Sequence, residues 1–199
     1  MRPLFIVLEG PDASGKSTQL KRLSAELSRR GIPVVTTKEP GGTELGKRLR
    51  EILLDPRRRI EPLAELFLLL ADRRQHVKEL IKPALEAGKT VISSRYTLSS
   101  LAYQGGGRGL SLELVRRLND LATEGLKPDY TFLLDVPPEV ALARTGDRDR
   151  FEAEGLSFYI RVREAYLELI REEPNGYVID ATLPPAEVTR RILEQLPLA

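Results

Sequence analysis

The segment Gly10-Pro11-Asp12-Ala13-Ser14-Gly15-Lys16-Ser17 constrains this chain more than any other feature. It fits the pattern G-x-x-x-x-G-K-[ST]. It follows the apolar run 4–8 and precedes a stretch, 17–30, in which Leu20, Leu23 and Leu27 share one helical stripe. A run that is apolar at consecutive positions suits a strand buried on both faces, as in a parallel sheet with helices above and below. The glycines let the backbone curl so that its N–H groups surround anionic oxygens, and the N-terminus of the following helix adds favourable charge. Lys16 supplies a mobile cation and the Ser17 hydroxyl a hard oxygen ligand for Mg²⁺. A glycine-rich surface turn is the ordinary alternative, but strand and helix in this order argue against it. The segment is read as a phosphate-binding loop (P-loop) for a nucleoside triphosphate, with Gly10, Pro11, Asp12, Ala13, Ser14, Gly15, Lys16, Ser17 and Thr18 as its contacts.

Around this loop, apolar runs alternate with amphipathic stretches, which predicts an α/β fold. Further strands are expected at 34–37, 90–93, 130–134 and 177–179, where β-branched or aromatic residues cluster. Helices are expected near 43–54, 62–86, 111–123, 138–144, 156–172 and 184–196. The result is a five-stranded parallel sheet flanked by helices, the three-layer fold of P-loop NTPases, and 199 residues fit a single domain, 1–199. The run 63–71 is apolar nearly all round, so burial or a subunit interface is expected there. Glycine-rich stretches at 41–42 and 105–109 read as loops, the second with some freedom to flex, and the charged stretch at about 145–155 as a short mobile segment above the sheet.

Composition removes several chemistries. Lys plus Arg number 31 against 29 Asp plus Glu, a net charge of +2, and aromatics are 6%, so neither a nucleic-acid partner nor an aromatic stacking platform is expected. Arg57-Arg58-Arg59 reads as a solvated loop. With no Cys and one His, thiol nucleophiles, Cys metal sites and His clusters are excluded. His76 is expected to be a helix-surface residue without a catalytic role. No apolar run approaches membrane-spanning length and the chain opens on a strand-like segment, so no membrane partner and a cytoplasmic location are expected.

A P-loop does not name a reaction, since switches, motors and kinases share it. The guanine-reading Asn-Lys-x-Asp pattern is missing, because Asn119 is followed by Asp120 and Asn175 by Gly176. What the chain offers is arginine leading out of strands and along helices. Arg95 follows the strand 90–93 and Arg73 lies on the helix 62–86, positions that suit an anionic acceptor opposite the triphosphate.

The motifs resemble those of bacterial thymidylate kinases, the dTMP kinases among P-loop nucleoside-monophosphate kinases. The resemblance spans nearly the whole chain. It comprises Phe5-Ile6-Val7-Leu8-Glu9-Gly10 running into the P-loop, Glu39-Pro40-Gly41-Gly42-Thr43 and Ala71-Asp72-Arg73. It continues in Arg95-Tyr96-Thr97-Leu98-Ser99-Ser100-Leu101-Ala102-Tyr103-Gln104-Gly105 and ends in Asp149-Arg150-Phe151-Glu152. It implies transfer of the γ-phosphoryl of ATP to the 5′-phosphate of dTMP with Mg²⁺, giving dTDP and ADP, in a homodimer. Another pyrimidine nucleoside-monophosphate kinase, or a P-loop NTPase without a nucleotide acceptor, are the alternatives.

By the same resemblance Asp12 bonds the deoxyribose 3′-OH and helps organise Mg²⁺, and Arg95 grips the acceptor phosphate. Arg73 reads thymine, Ser100 and Gln104 line base and sugar, Tyr103 lies where a ribose 2′-OH would project, and Pro40 and Leu69 complete the dTMP site. The segment near 145–155 resembles the family lid. Ala13 stands where some members carry a P-loop arginine, so the catalytic cation is expected from Arg144, Arg148 or Arg150, with Arg148 assigned to catalysis and Arg144 and Arg150 to ATP. Three positions depart from the family pattern. Ser94 replaces an Asp, Leu69 a stacking Phe, and Lys38 an Arg; Phe67 lies too far round the helix to substitute for the lost ring.

Overall fold

A computed structural model of the chain describes residues 2–144, 150–151 and 154–198. Five strands form one parallel sheet: β1 (Phe5–Glu9), β2 (Val34–Lys38), β3 (Thr90–Ser94), β4 (Tyr130–Asp135) and β5 (Gly176–Asp180), in the order β2-β3-β1-β4-β5. The helices are α1 (Lys16–Arg29), α2 (Glu44–Leu54), α3 (Pro62–His76), α4 (Lys82–Glu86), α5 (Thr97–Ser100), α6 (Leu112–Thr123), α7 (Pro138–Arg144), α8 (Leu156–Leu169) and α9 (Pro185–Leu193). Each expected strand lies within one residue of its observed bounds.

β1 shows why the two faces are covered. Its five residues are all buried, and successive side chains enter different cores. Ile6 and Leu8 pack with Leu23 and Leu27 of α1 and Val188 and Ile192 of α9. Phe5 and Val7 pack with Val77, Ile81 and Tyr96 on the other side. A third core joins Leu66 and Leu70 of α3, Val115 of α6, and Phe158, Val162 and Tyr166 of α8. The sheet, with helices packed on both faces, makes the three layers read from the alternating pattern.

The chain runs from β1 to β2 across β3 and then returns, so the strand order switches direction beside β1. Ligands of such sheets bind at the carboxyl ends of the strands at this switch point, and the P-loop leaves β1 there.

The stretch 105–109 departs from the loop reading. α5 continues into a widened π-helical segment, Leu101–Gly107, in which Gly105 and Gly107 are buried. A Cβ on Gly106 would come within 2.4 Å of Ala165 Cβ, and one on Gly107 within 2.5 Å of the Phe158 ring. The glycines therefore give close approach to α8, not freedom to flex. A second π segment, Val77–Ile81, joins α3 to α4. In the run 63–71, Leu66 is fully buried whereas Phe67 is 53% exposed, so this helix is not buried all round.

Candidate active site

The P-loop closes over the end of the sheet because its glycines permit conformations other residues resist. Gly10 has φ +136°, and a Cβ there would meet the Leu134 carbonyl oxygen at 2.6 Å. Ala13 and Gly15 also lie at positive φ, and α1 begins at Lys16. Lys16 Nζ donates to the carbonyls of Gly10 at 2.9 Å and Pro11 at 2.6 Å. Burial, reinforced by the Arg95 charge, lowers the Lys16 pKa to about 7 against the pull of Asp12 and Glu9.

Arg95 joins the two halves of the site. It directly follows β3 with φ +74°, a left-handed conformation that costs a non-glycine residue about 1–2 kcal/mol. The conformation is held from both sides: Arg95 N donates to Leu8 O at 2.9 Å, and Tyr96 N donates to Glu9 Oε1 at 2.8 Å. Glu9, fully buried at the end of β1, also accepts from Ser99 N at 3.2 Å and Tyr166 Oη at 3.1 Å. The guanidinium reaches Gly10 O at 3.1 Å, Asp12 Oδ1 at 2.6 Å and Tyr103 Oη at 3.2 Å, and lies 4.9 Å from the centre of the Tyr103 ring. Burial would raise the Asp12 pKa, but the charges of Arg95 and Lys16 outweigh it and hold it at about 2.

Beyond Arg95 lies the pocket of Arg73. This side chain is 2% exposed and donates from Nε to Glu39 Oε2 at 2.8 Å, from Nη1 to Ser100 Oγ at 2.9 Å and to Asn119 Oδ1, and from Nη2 to Tyr96 O at 2.8 Å. Of five guanidinium N–H groups these use four (one on Nε, two on Nη1, one on Nη2), leaving one on Nη2. Glu39 also holds His76, whose Nδ1 lies 2.9 Å from Oε1 and whose Nε2 lies 2.6 Å from Thr37 Oγ1. His76 is thus fully buried, not on the helix surface as the sequence suggested. Burial would raise the Glu39 carboxyl, and Arg73 and His76 reverse this to hold it below the usual range. Its neighbour Asp72 goes the other way, raised to about 6 by burial and by the Glu39 charge.

A single cleft of about 450 Å³ connects these groups. Asp12, Ala13, Gly15, Lys16, Ser17 and Thr18 line one end, Arg95 and Tyr103 the middle, and Pro40, Leu69, Arg73, Ser100 and Gln104 the other end. All three variant positions, Lys38, Leu69 and Ser94, line the cleft, whereas Phe67 does not. Arg144 lines it too and borders a neighbouring groove with Ala181, Leu183 and Pro185. Arg150 is engaged by α2 and α3: Nη1 lies 2.6 Å from Glu65 Oε2, Nε donates to Leu53 O at 2.8 Å, and the guanidinium packs 4.5 Å from the centre of the Phe151 ring. Arg148 and most of the expected lid lie outside the described residues. Sequence reasoning missed Arg50, which lines the cleft and donates to Pro40 O at 3.1 Å, because it sits among other charges on α2. It also missed the buried carboxylates Glu9, Glu39 and Glu65; an acidic residue inside an apolar run was the available signal for Glu9 and Glu65.

A P-loop at the switch point, facing a second arginine-lined pocket across one shared guanidinium, defines a P-loop phosphotransferase with separate donor and acceptor sites. The chain belongs to the thymidylate kinase family, whose model matches residues 8–192. It is 51% identical over 193 residues to the thymidylate kinase of Deinococcus radiodurans, covering 95% of this chain and 94% of that one. It is 49% identical over 191 residues to that of Carboxydothermus hydrogenoformans, covering 94% of each. The crystal structure of thymidylate kinase from Ehrlichia chaffeensis superposes with a TM-score of 0.81 at 35% identity, covering 98% of both chains.

Proposed function

We propose that this chain, acting as one P-loop kinase domain in the cytoplasm, transfers the γ-phosphoryl of ATP to the 5′-phosphate of dTMP. The observation that carries the reading is the position of Arg95, bonded to P-loop residues on one side and flanked by the Arg73–Gln104 pocket on the other. An acceptor phosphate oxygen forms a bond to the γ-phosphorus as the bond to the β–γ bridging oxygen breaks, and ADP leaves with that oxygen. The acceptor phosphate has a second pKa of about 6 and is largely dianionic at neutral pH, so no strong base is needed where Ser94 replaces a carboxylate. The obstacle is repulsion between two anions, which Lys16, Arg95 and a cation near Arg144 or Arg148 offset. Asp12, beside the shared guanidinium, is assigned to the deoxyribose 3′-OH, and Tyr103, which donates to Asp12 Oδ2 at 3.1 Å, to the side on which a ribose 2′-OH would project. The groove lined by Arg144, Ala181 and Leu183 adjoins the P-loop and is assigned to the donor nucleoside.

The donor set suits Mg²⁺ carried in with the triphosphate. Ser17 exposes a hydroxyl to the cleft, whereas the Asp12 carboxylate is already paired with Arg95 and no cluster of three metal-ligating side chains occurs among the described residues. Magnesium commonly keeps several waters and takes few protein ligands. When bound, it would neutralise β- and γ-phosphate charge, with Ser17 the residue that would hold it and Asp12 beside it.

An ADP-release assay across dTMP, dUMP, UMP, CMP, AMP and GMP tests the reading. The highest kcat/KM is expected with dTMP. Preference for another acceptor, or hydrolysis indifferent to dTMP, overturns it.

We further propose a homodimer through the α3–α6 face. Phe67 and Leu121, 53% and 74% exposed, form an apolar patch with Ala71 and Leu118, rimmed by the Arg74–Glu124 ion pair. Contiguous exposed apolar patches often mark protein–protein contact sites. The proposed occupant is the same face of a second copy, since a two-fold axis brings an identical patch onto itself. Sedimentation of the wild type should give a dimer, and the double change Phe67→Glu with Leu121→Glu a folded monomer. A wild-type monomer at micromolar concentration would refute this assembly.

A further inference from the structure

Glu9 ends β1 fully buried, directly before the P-loop, and the reaction proposed above gives it no part. Its Oε1 accepts from two backbone donors at the start of α5, Tyr96 N at 2.8 Å and Ser99 N at 3.2 Å. Its Oε2 accepts from two hydroxyls instead, Ser99 Oγ and Tyr166 Oη, the latter at 3.1 Å. The hydroxyl oxygens lie 2.8 Å from each other. Both also meet one nitrogen of Arg95: Nη1 donates to Ser99 Oγ and to Tyr166 Oη, each at 3.3 Å. β1, α5 and α8 thus bring a buried carboxylate and two buried hydroxyls together at the guanidinium. The circuit has a direction, because a carboxylate only accepts and a guanidinium only donates. Hydroxyls between them send their protons toward Glu9 and turn their lone pairs to Arg95. However the two share the contact between them, the chain ends on the carboxylate. Bonds that end on a charge and polarise one another are stronger than isolated neutral ones.

We propose that Glu9 is a positioning residue for phosphoryl transfer: through the hydroxyls of Ser99 and Tyr166 it fixes the direction of the Arg95 guanidinium. The inference rests on the role proposed for Arg95 above and deepens it. One carboxylate acts on both parts of that residue. Oε1 holds the backbone in its left-handed turn through Tyr96 N, and Oε2 orients the side chain through the two hydroxyls. The other terminal nitrogen, Nη2, is held separately by Asp12 and Tyr103.

Glu9→Gln keeps the volume and the bonds to Tyr96 N and Ser99 N, because the amide oxygen must face those donors. The amide nitrogen then faces the hydroxyls and donates to them. Their protons are displaced toward Arg95 Nη1, where donor meets donor. The value of kcat/KM for dTMP should fall about tenfold or more, with the ATP KM unchanged. In an Arg95→Ala background the same change should cost less than about twofold. A merely structural carboxylate would cost the same factor in both backgrounds, and that result overturns the proposal. If Glu9→Gln does not fold, the double change Ser99→Ala with Tyr166→Phe decides. It leaves the backbone bonds to Glu9 in place and should reproduce both the loss and its dependence on Arg95. Wild-type kcat/KM for dTMP in either folded variant also overturns the proposal. A wild type inactive on dTMP refutes the functional reading instead, whereas an active one whose loss is independent of Arg95 refutes only the role of Glu9.

Discussion

Replacing Lys16 by alanine should lower kcat by at least about 10³-fold, comparable to the loss of a positioned cation in related phosphoryl-transfer sites. The protein should still fold. Lys16 opens α1, alanine is a better helix former, and the bonds lost run to the loop carbonyls of Gly10 and Pro11 and to Ser14 Oγ, all within the same loop. The Lys16 pKa of about 7 adds a second readout. Burial and Arg95 disfavour the charged amine before substrate arrives, and a polyphosphate beside it reverses that preference. Binding should raise this pKa and take up a fraction of a proton near pH 7.5. Calorimetry of nucleotide binding in buffers of different ionisation enthalpy should detect the uptake in the wild type and lose it in Lys16→Ala. Wild-type turnover by the variant would remove Lys16 from the mechanism.

The sequence made the sheet and the donor half of the site legible because both depend on local rules. A fully apolar run, a glycine pattern and a helical stripe each read within a few residues, and Gly10, Lys16 and Ser17 need only their neighbours to take their places. The acceptor half depends on contacts made far along the chain. His76 looked like a surface residue because its partners, Thr37 and Glu39, lie on β2 and just after it. The glycines at 105–107 looked like a loop because propensity alone disfavours a helix there; packing against Phe158 and Ala165 of α8 overrides it. The π segments interrupt the 3.6-residue period, so no periodic pattern marks them. Arg150 was assigned to ATP because its segment resembles the family lid, and only the buried position of Glu65, on a distant helix, shows where its charge is matched.

Arg95→Ala should be the most damaging acceptor-side change, since in the proposed reaction one side chain serves both substrates. The expected loss in kcat/KM for dTMP is about 10³-fold or more, within the range assigned to arginines that stabilise transferring phosphoryl groups. Arg95→Lys keeps the charge but cannot span Gly10, Asp12 and Tyr103 as the guanidinium does, so it should recover only part of the loss. The contrast separates charge from geometry: equal losses in the two variants would mean that position matters more than charge. Asp12 supplies an independent check. Its pKa of about 2 depends chiefly on Arg95 acting against burial. Without that guanidinium it should rise, so the acid limb of the residual pH–rate profile should move to higher pH. Stability should change in the same sense. The paired carboxylate stabilises the wild type above the ordinary aspartate range and loses this as pH falls toward about 2. Arg95→Ala should therefore lose its advantage at neutral pH while converging on the wild type in strong acid. Loss of ATP affinity with unaltered dTMP kinetics would show that Arg95 belongs to the donor site alone.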